Sequence, residues 1–160
     1  MDQTHIHLVI THLPIFGSVL GGLVLAHGLW TKNNQTKIVA YNIFIISVIG
    51  AGTAYLTGEA AEESVENLPG VFEATIERHE DFAIYAFVSL IILGVFSIIG
   101  IFLTLKKSSA SRTLAFVIFL ISLVSFGLVA RTGFLSGQIR HSEIVKGAIT
   151  STDNTENEGD

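Results

Sequence analysis

Residues 8–30 read LVITHLPIFGSVLGGLVLAHGLW, a run without a single Asp, Glu, Lys or Arg. A helix needs about 20 apolar residues to cross the hydrocarbon core of a bilayer, whereas a buried strand ends after roughly eight. Three later segments have a similar length and almost no charge: 38–57, 82–105 and 113–135. Because a backbone in lipid must satisfy its own hydrogen bonds, we predict that all four are transmembrane helices.

The composition agrees with a membrane protein. Hydrophobic residues make up 49% of the 160-residue chain and charged residues 14%, against about 25% charged in a typical soluble domain. The predicted fold is all-α, a four-transmembrane-helix up-down bundle with a short amphipathic, acidic helical loop between the second and third helices. The predicted transmembrane domain covers 1–147, followed by a disordered acidic tail at 148–160; its spans are about 6–30, 38–57, 79–105 and 111–136.

The loop charges predict the orientation. The two short loops contain basic residues and no acid, whereas the connection between the second and third spans is rich in Glu. Basic loops favour the cytoplasm. Both termini and the acidic loop are therefore expected in the periplasm, with the protein in the inner membrane of a bacterium. The net charge of −5 argues against nucleic acid, and the absence of Cys excludes thiolate metal sites.

This topology gathers histidines and charged residues from four chain segments at the outer face. A single histidine at a water–lipid boundary is more often a solvated interface residue. The set points to a site, because His12 lies inside an apolar run and polar groups at membrane depth are costly. His27 falls near the inner surface and is read as an interface residue. The candidate site residues are His7, His12, His79, His141, Glu59, Glu62, Arg131 and Arg140.

Two ligand hypotheses follow, because imidazole binds both metal ions and haem iron. In the first, two of His12, His79 and His141 hold haem b, and Arg131 or Arg140 contacts its propionates. In the second, several histidines, with His7 after these three, bind iron, copper or zinc directly together with Glu59, Glu62, Glu80 or Glu143. Glu59 and Glu62 could instead orient the imidazoles. Arg131 also has a structural reading, an ion pair with Glu59. Hydrolase motifs are absent from the sequence.

The histidine pattern resembles a known family. The spacing His7-x4-His12-x-Pro14-Ile15 is similar to the His-Pro-x-x-x-His-Phe-Pro-Ile opening of the domain of unknown function 2231 family. The stretch from Gly133 to His141 resembles the glycine- and histidine-rich end of that family's last helix, and His79 matches a histidine that opens the third. The similarity covers the chain to about residue 147.

The chain departs from the family pattern at three positions: Leu8 replaces a proline, Phe134 a histidine and Ser142 a glycine. The stretch TGEAAEE at 57–63 and the pair His79-Glu80 are similar to a Bacteroidetes-type branch. The resemblance implies a small bacterial four-helix membrane protein. Family members joined to Rieske or cytochrome-type domains imply a respiratory or periplasmic redox partner.

We therefore expect an integral membrane protein with a haem- or metal-binding site at its periplasmic face, acting in respiratory electron transfer. One alternative is a non-catalytic membrane subunit or assembly partner, and another is metal handling or transport. Whether the protein is an enzyme is left open. The expected partners are the lipid bilayer and a redox protein, and the sequence is compatible with an oligomer.

Overall fold

The protein is described here from a computed structural model that covers the backbone of residues 7, 9–63 and 73–156, and the side chains of residues 7, 9–58 and 76–137. It contains four helices: α1 (His12–Trp30), α2 (Asn34–Glu63), α3 (Glu73–Leu105) and α4 (Ser111–Glu156). No β-strand occurs in these ranges. The predicted all-α fold is confirmed. Each helix has a segment long and apolar enough to cross a bilayer: His12–Trp30, Asn34–Gly58, Ile76–Leu105 and Ser111–Gly137.

The four helices form an up-down bundle. Each helix packs against its neighbours in sequence, and α4 packs against α1. The connections at 31–33 and 106–110 are too short to join anything but antiparallel neighbours. We call the end of the bundle that holds these two connections the basic end. The opposite end, where α1 and α3 begin and the spans of α2 and α4 finish, is the histidine end.

Both connections at the basic end begin with the same helix stop. Lys32 and Lys107 have φ angles of 53° and 52°, in the left-handed region. Just beyond them, the amide of Asn33 donates to the carbonyl of Gly28 at 3.0 Å, and Ser108 donates to Leu103 at 3.0 Å. These bonds satisfy carbonyls that a helix end leaves without partners. The chain can therefore reverse direction within a few residues.

Some helix boundaries differ from those predicted. We expected the second helix to end near Gly58 and a separate amphipathic helix to cover 59–67, but α2 continues without a break to Glu63. Residues 64–72 lie outside the described part. Glycine is only mildly unfavourable inside a helix, at about 1 kcal/mol, so Gly58 did not have to end α2. The helical stretch predicted just before the third span is present, since α3 begins at Glu73.

At the carboxyl end of the chain, α4 remains helical to Glu156, beyond residue 147, where we expected the ordered domain to finish. The sequence from 138 to 156 contains no proline, the residue that most strongly ends a helix. At the other end, α1 begins at His12, which places Pro14 in the first turn. A proline is harmless there, because the amides of the first turn have no carbonyl partner inside the helix.

The outer surface of the bundle is apolar, and the interior is tightly packed. Leu25, Tyr41, Phe44 and Leu93 are fully buried, whereas large apolar side chains such as Leu56 point outward, 82% exposed. A soluble protein rarely exposes such a continuous apolar surface. Together with the four spans, this surface indicates a multi-pass membrane protein in contact with lipid.

Glycines bring α1 and α2 into close contact. Gly17 faces Ser47, Gly21 faces the ring of Phe44, and a Cβ atom on Gly28 would lie 3.0 Å from the backbone nitrogen of Lys37. Small residues allow backbones to approach, which is how helices gain packing contacts in lipid. The helix that approaches α1 at Gly17 and Gly21 is thus α2.

We expect Gly28→Ala to destabilise the protein by about 1–3 kcal/mol, because the added methyl group meets the backbone of α2, which cannot turn aside as a side chain can. Thermal unfolding in a mild detergent measures the effect. The matched control is Gly127→Ala in α4, where a Cβ atom has no neighbour within 4 Å. The control should equal the wild type or exceed it by up to about 1 kcal/mol, from helix propensity alone. Equal stability of the two variants would contradict the close packing at Gly28.

Candidate functional site

His7 is held against the end of the α2 span. It lies one helical turn before α1, and its carbonyl accepts the amide of Thr11 at 3.0 Å. Its Nδ1 lies 2.9 Å from the carbonyl oxygen of Ala54 and 3.2 Å from Oγ1 of Thr57. Gly58 lies beside the ring, because a Cβ atom there would be 3.7 Å from Cε1 of His7. The imidazole is thus half-buried against the last turns of the α2 span.

His79 is held in the same manner by α4. It lies in the first turn of the α3 span and is half-buried. Its Nδ1 is 3.2 Å from the carbonyl oxygen of Thr132. Thr132 bonds its own hydroxyl to the carbonyl of Leu128 at 3.0 Å, so its side chain is directed back along α4. The imidazole therefore joins α3 to α4, as His7 joins the start of α1 to α2.

His7 and His79 lie at the same end of the bundle, near enough for their charges to interact. A carbonyl oxygen can only accept, so Nδ1 carries the proton in both rings. The lone pair of a neutral imidazole then lies on Nε2. Each ring, with Nδ1–H bonded to a backbone carbonyl and Nε2 carrying the lone pair, has the tautomer and the kind of orienting partner that metal-binding histidines usually have.

Burial favours the neutral form of His7. It lowers the pKa of the His7 imidazole below its ordinary value of 6.5, and the bond to the Ala54 carbonyl opposes this only in part. A desolvated imidazole loses more from being charged than from being neutral. Near neutral pH, His7 is therefore in the form that binds metals.

Arg131 lies near the histidine end, immediately before Thr132 on α4. Its guanidinium carbon is 5.7 Å from the ring centre of Phe82 and 5.5 Å from that of Phe134. Aromatic faces attract a cation without using its N–H donors. These donors can still hold an anion. The side chain of Glu59 lies outside the described residues, so the predicted ion pair between Glu59 and Arg131 stays a prediction.

His12, one of the three first-choice ligands together with His79 and His141, lies on another face of α1 from His7. Its side chain is exposed, and its ring stacks on Phe16 with centroids 6.1 Å apart. With Phe16, Ile43 and Ile46 it lines a groove of about 340 Å³ between α1 and α2.

Four predicted site residues have side chains outside the described part: Glu59 and Glu62 on α2, and Arg140 and His141 on α4. Their backbones are helical and continue the segments that hold His7 and His79. Among the side chains that are described, no three of His, Asp or Glu come close enough to share a metal ion. His27 is exposed near the basic end, as predicted for an interface residue.

The preference for His12 over His7 missed a signal in the sequence. His7 precedes Pro14, Gly21 and Gly28 by multiples of seven residues, and all three are buried. His12 shares a stripe with Phe16, which faces outward. Small residues mark the packed face of a membrane helix, so the glycine stripe of α1 points to His7.

Comparison of the chain with protein-family models, with curated proteins and with solved structures found no match. The resemblance to the domain of unknown function 2231 family therefore stays a prediction.

We expect the metal-free protein to lose stability as the pH falls below 6.5. The unfolded chain takes up a proton on His7 near pH 6.5, and the folded chain does so only at a lower pH because its pKa is lowered. The contribution is therefore complete above pH 6.5 and is lost as the pH falls through the folded pKa. His7→Asn keeps an N–H donor for the Ala54 carbonyl but does not titrate, so its unfolding should depend less on pH. Identical pH profiles for wild type and variant, measured with a chelator present, would contradict this.

Proposed function

We propose that this integral membrane protein binds a redox-active metal ion at the histidine end, with His7 and His79 as imidazole ligands, and transfers electrons to a partner on that side of the membrane. The supporting observation is the pair of Nδ1–H to carbonyl bonds, to Ala54 and to Thr132. These bonds direct the lone pairs of two neighbouring imidazoles away from the backbone. Iron or copper suits this role, because imidazole binds both and each changes oxidation state.

The acidic segments supply candidates for the remaining ligands. Glu59 follows Gly58, the residue in contact with the His7 ring, and Glu62 lies one helical turn further on. His141 lies about two and a half turns after Thr132 on α4. We place His7 and His79 first as ligands, with these three as completing ligands and His12 last. Zinc would fit the same donors but carries no electron.

Haem b is a second candidate for the same two imidazoles. Haem iron binds imidazole, and His7 and His79 would be the residues that hold it. Arg131 favours this candidate, because two aromatic rings hold its guanidinium near the histidine end and leave its donors for a propionate. Arg140 would be a further partner of the propionates.

A non-catalytic membrane subunit is the rival from another class. The two imidazole bonds also tie helices together: His7 fixes the start of α1 to α2, and His79 fixes α3 to α4. Metal transport has less support. The sequence has no Asp or Glu between Gln3 and Gly58, or between Phe82 and Ser142, so the spans offer no carboxylate to pass a cation along.

The charge distribution supports a topology for this function. The connections at the basic end and the adjoining helix turns hold five cations and no acid: Lys32, Lys37, Lys106, Lys107 and Arg112. Basic loops favour the cytoplasm, so the proposal places the histidine end and both termini in the periplasm of a bacterium, with the protein in the inner membrane. The redox partner is then a respiratory or periplasmic protein.

Asparagine variants separate a ligand role from a structural one. His7→Asn and His79→Asn place an amide N–H near the position of Nδ1 and so keep a donor for the carbonyls, but they remove Nε2. In protein purified in mild detergent, we expect elemental analysis to find stoichiometric iron or copper in the wild type and to find it lost in both variants. Their metal-free unfolding temperatures should stay close to the wild-type value. His27→Asn, at the other end of the bundle, should keep the metal.

The visible spectrum distinguishes the candidates. A Soret band that is present in the wild type and lost in both asparagine variants would mean that the imidazoles hold haem b and not a metal ion directly. Folded wild-type protein with neither metal nor Soret band, after growth with iron and copper supplied, would overturn both and leave the structural role. In that case His7→Gln, whose amide sits nearer the position of Nε2 and cannot serve the Ala54 carbonyl, should still destabilise the protein more than His7→Asn.

A further inference from the structure

A groove opens between α1 and α4 at the basic end, far from the imidazoles. Its volume is about 590 Å³. The wall is mostly apolar and aromatic, and Arg112 is its one charged member. Trp30, at the end of α1, is 84% exposed, the position in which tryptophan marks a membrane interface. The groove is lined by Ala26, Leu29, Trp30, Arg112, Thr113, Phe116 and Phe119.

A second cation lies within electrostatic range of Arg112. Lys37 is only 4% exposed, because its stem packs against Gly28 of α1. Lys37 and Arg112 are close enough for their charges to repel each other. Folding thus holds two like charges near one another at the basic end of the bundle. Such a pair costs free energy unless an anion lies between or beside the two groups.

The described part of the chain has no anion to supply there. The acidic residues that border the spans on α2, α3 and α4 lie toward the histidine end: Glu59, Asp81 and Glu143. From Lys37 to Glu59 along α2 is 22 residues, which is roughly 33 Å of helix. No carboxylate in the described ranges therefore reaches Lys37 and Arg112.

We propose that this groove binds one anionic phospholipid, with its phosphate at Arg112 and an acyl chain along Leu29, Phe116 and Phe119. The nearby charge of Lys37 adds to the attraction. The groove lies where a lipid headgroup meets the hydrocarbon region, since Trp30 marks the interface. Along α4 beyond Arg112 the wall is apolar. This part of the wall suits an acyl chain and offers no hydrogen bond or charge to a free phosphate. Basic pockets between transmembrane helices bind acidic headgroups through the same combination of charge and apolar wall.

Native mass spectrometry of the delipidated full chain in detergent tests the proposal. We expect dioleoyl phosphatidylglycerol to bind with at least about fivefold higher affinity than dioleoyl phosphatidylcholine, which has the same chains and phosphate but no net charge. Arg112→Gln should weaken phosphatidylglycerol binding about fivefold to tenfold. The matched control is Lys107→Gln, which removes the same charge from the same end but does not line the groove. It should bind like the wild type.

Two further arms test the acyl chain and the source of the anion. Ala26→Phe places a large side chain in the groove without changing any charge. It should weaken phosphatidylglycerol binding as strongly as Arg112→Gln. Its unfolding temperature in lipid-free detergent should equal that of the wild type. If that variant is unstable, Phe116→Ala serves in its place, because it removes part of the chain contact. Inorganic phosphate at millimolar concentration should not displace the lipid. Displacement by phosphate, equal effects of Lys107→Gln and Arg112→Gln, or unchanged binding in both apolar variants would each overturn the proposal.

Discussion

The close approach of α1 to α2 determines where the imidazoles lie. Glycines on α1 let the two backbones come together along the length of the pair, from Gly17 at Ser47 to Gly28 at Lys37. This contact sets the rotation of α1 about its own axis, since Gly17, Gly21 and Gly28 all face α2. His7 belongs to the same face and is thereby set against Ala54 and the end of the α2 span. A helix rotated by about 140°, the angle that five residues span around the axis, would have presented His12 instead.

The same logic explains His79 on α3. It precedes Ala86, Leu93 and Gly100 by multiples of seven residues, and all three are buried. Each imidazole is therefore the outermost member of a packed stripe. Each imidazole lies at the point where its stripe reaches the end of the span. Its Nδ1 can therefore contact a carbonyl of the next helix. Hydrogen bonds of this kind contribute only about 0.5–1.5 kcal/mol in most settings, so the packing places the rings and the carbonyls orient them.

The sequence was sufficient for the class of fold and for much of its layout. Four long apolar segments and short polar connections leave little choice in lipid, where backbone groups must pair within a helix. It was not sufficient for the site. In a soluble bundle, alternating polarity shows which face turns inward, but the lipid-facing and core-facing sides of α1 are almost equally apolar. His12 and His7 could not be ranked by polarity. The continuation of α2 past Gly58 was also missed, because glycine and a change to acidic residues were read as a stop, although neither forces one.

The two ends of the bundle have opposite chemistry, and this limits what can connect them. Cations without acids occupy one end, and the imidazoles, with Glu77, Glu80 and Asp81 nearby on α3, occupy the other. Between them the described core is mostly apolar. The buried hydroxyls of Ser18, Ser47, Ser97 and Ser122 are bonded to carbonyls of their own helices, whereas that of Ser125 has no hydrogen-bond partner. Between the two ends the spans hold no carboxylate that would bind a passing cation. A lipid at the basic end would stabilise the contact between α1 and α4. An electron at the histidine end would leave on the same side of the membrane from which it arrived. The bundle is then a fixed membrane mount for a site at one face.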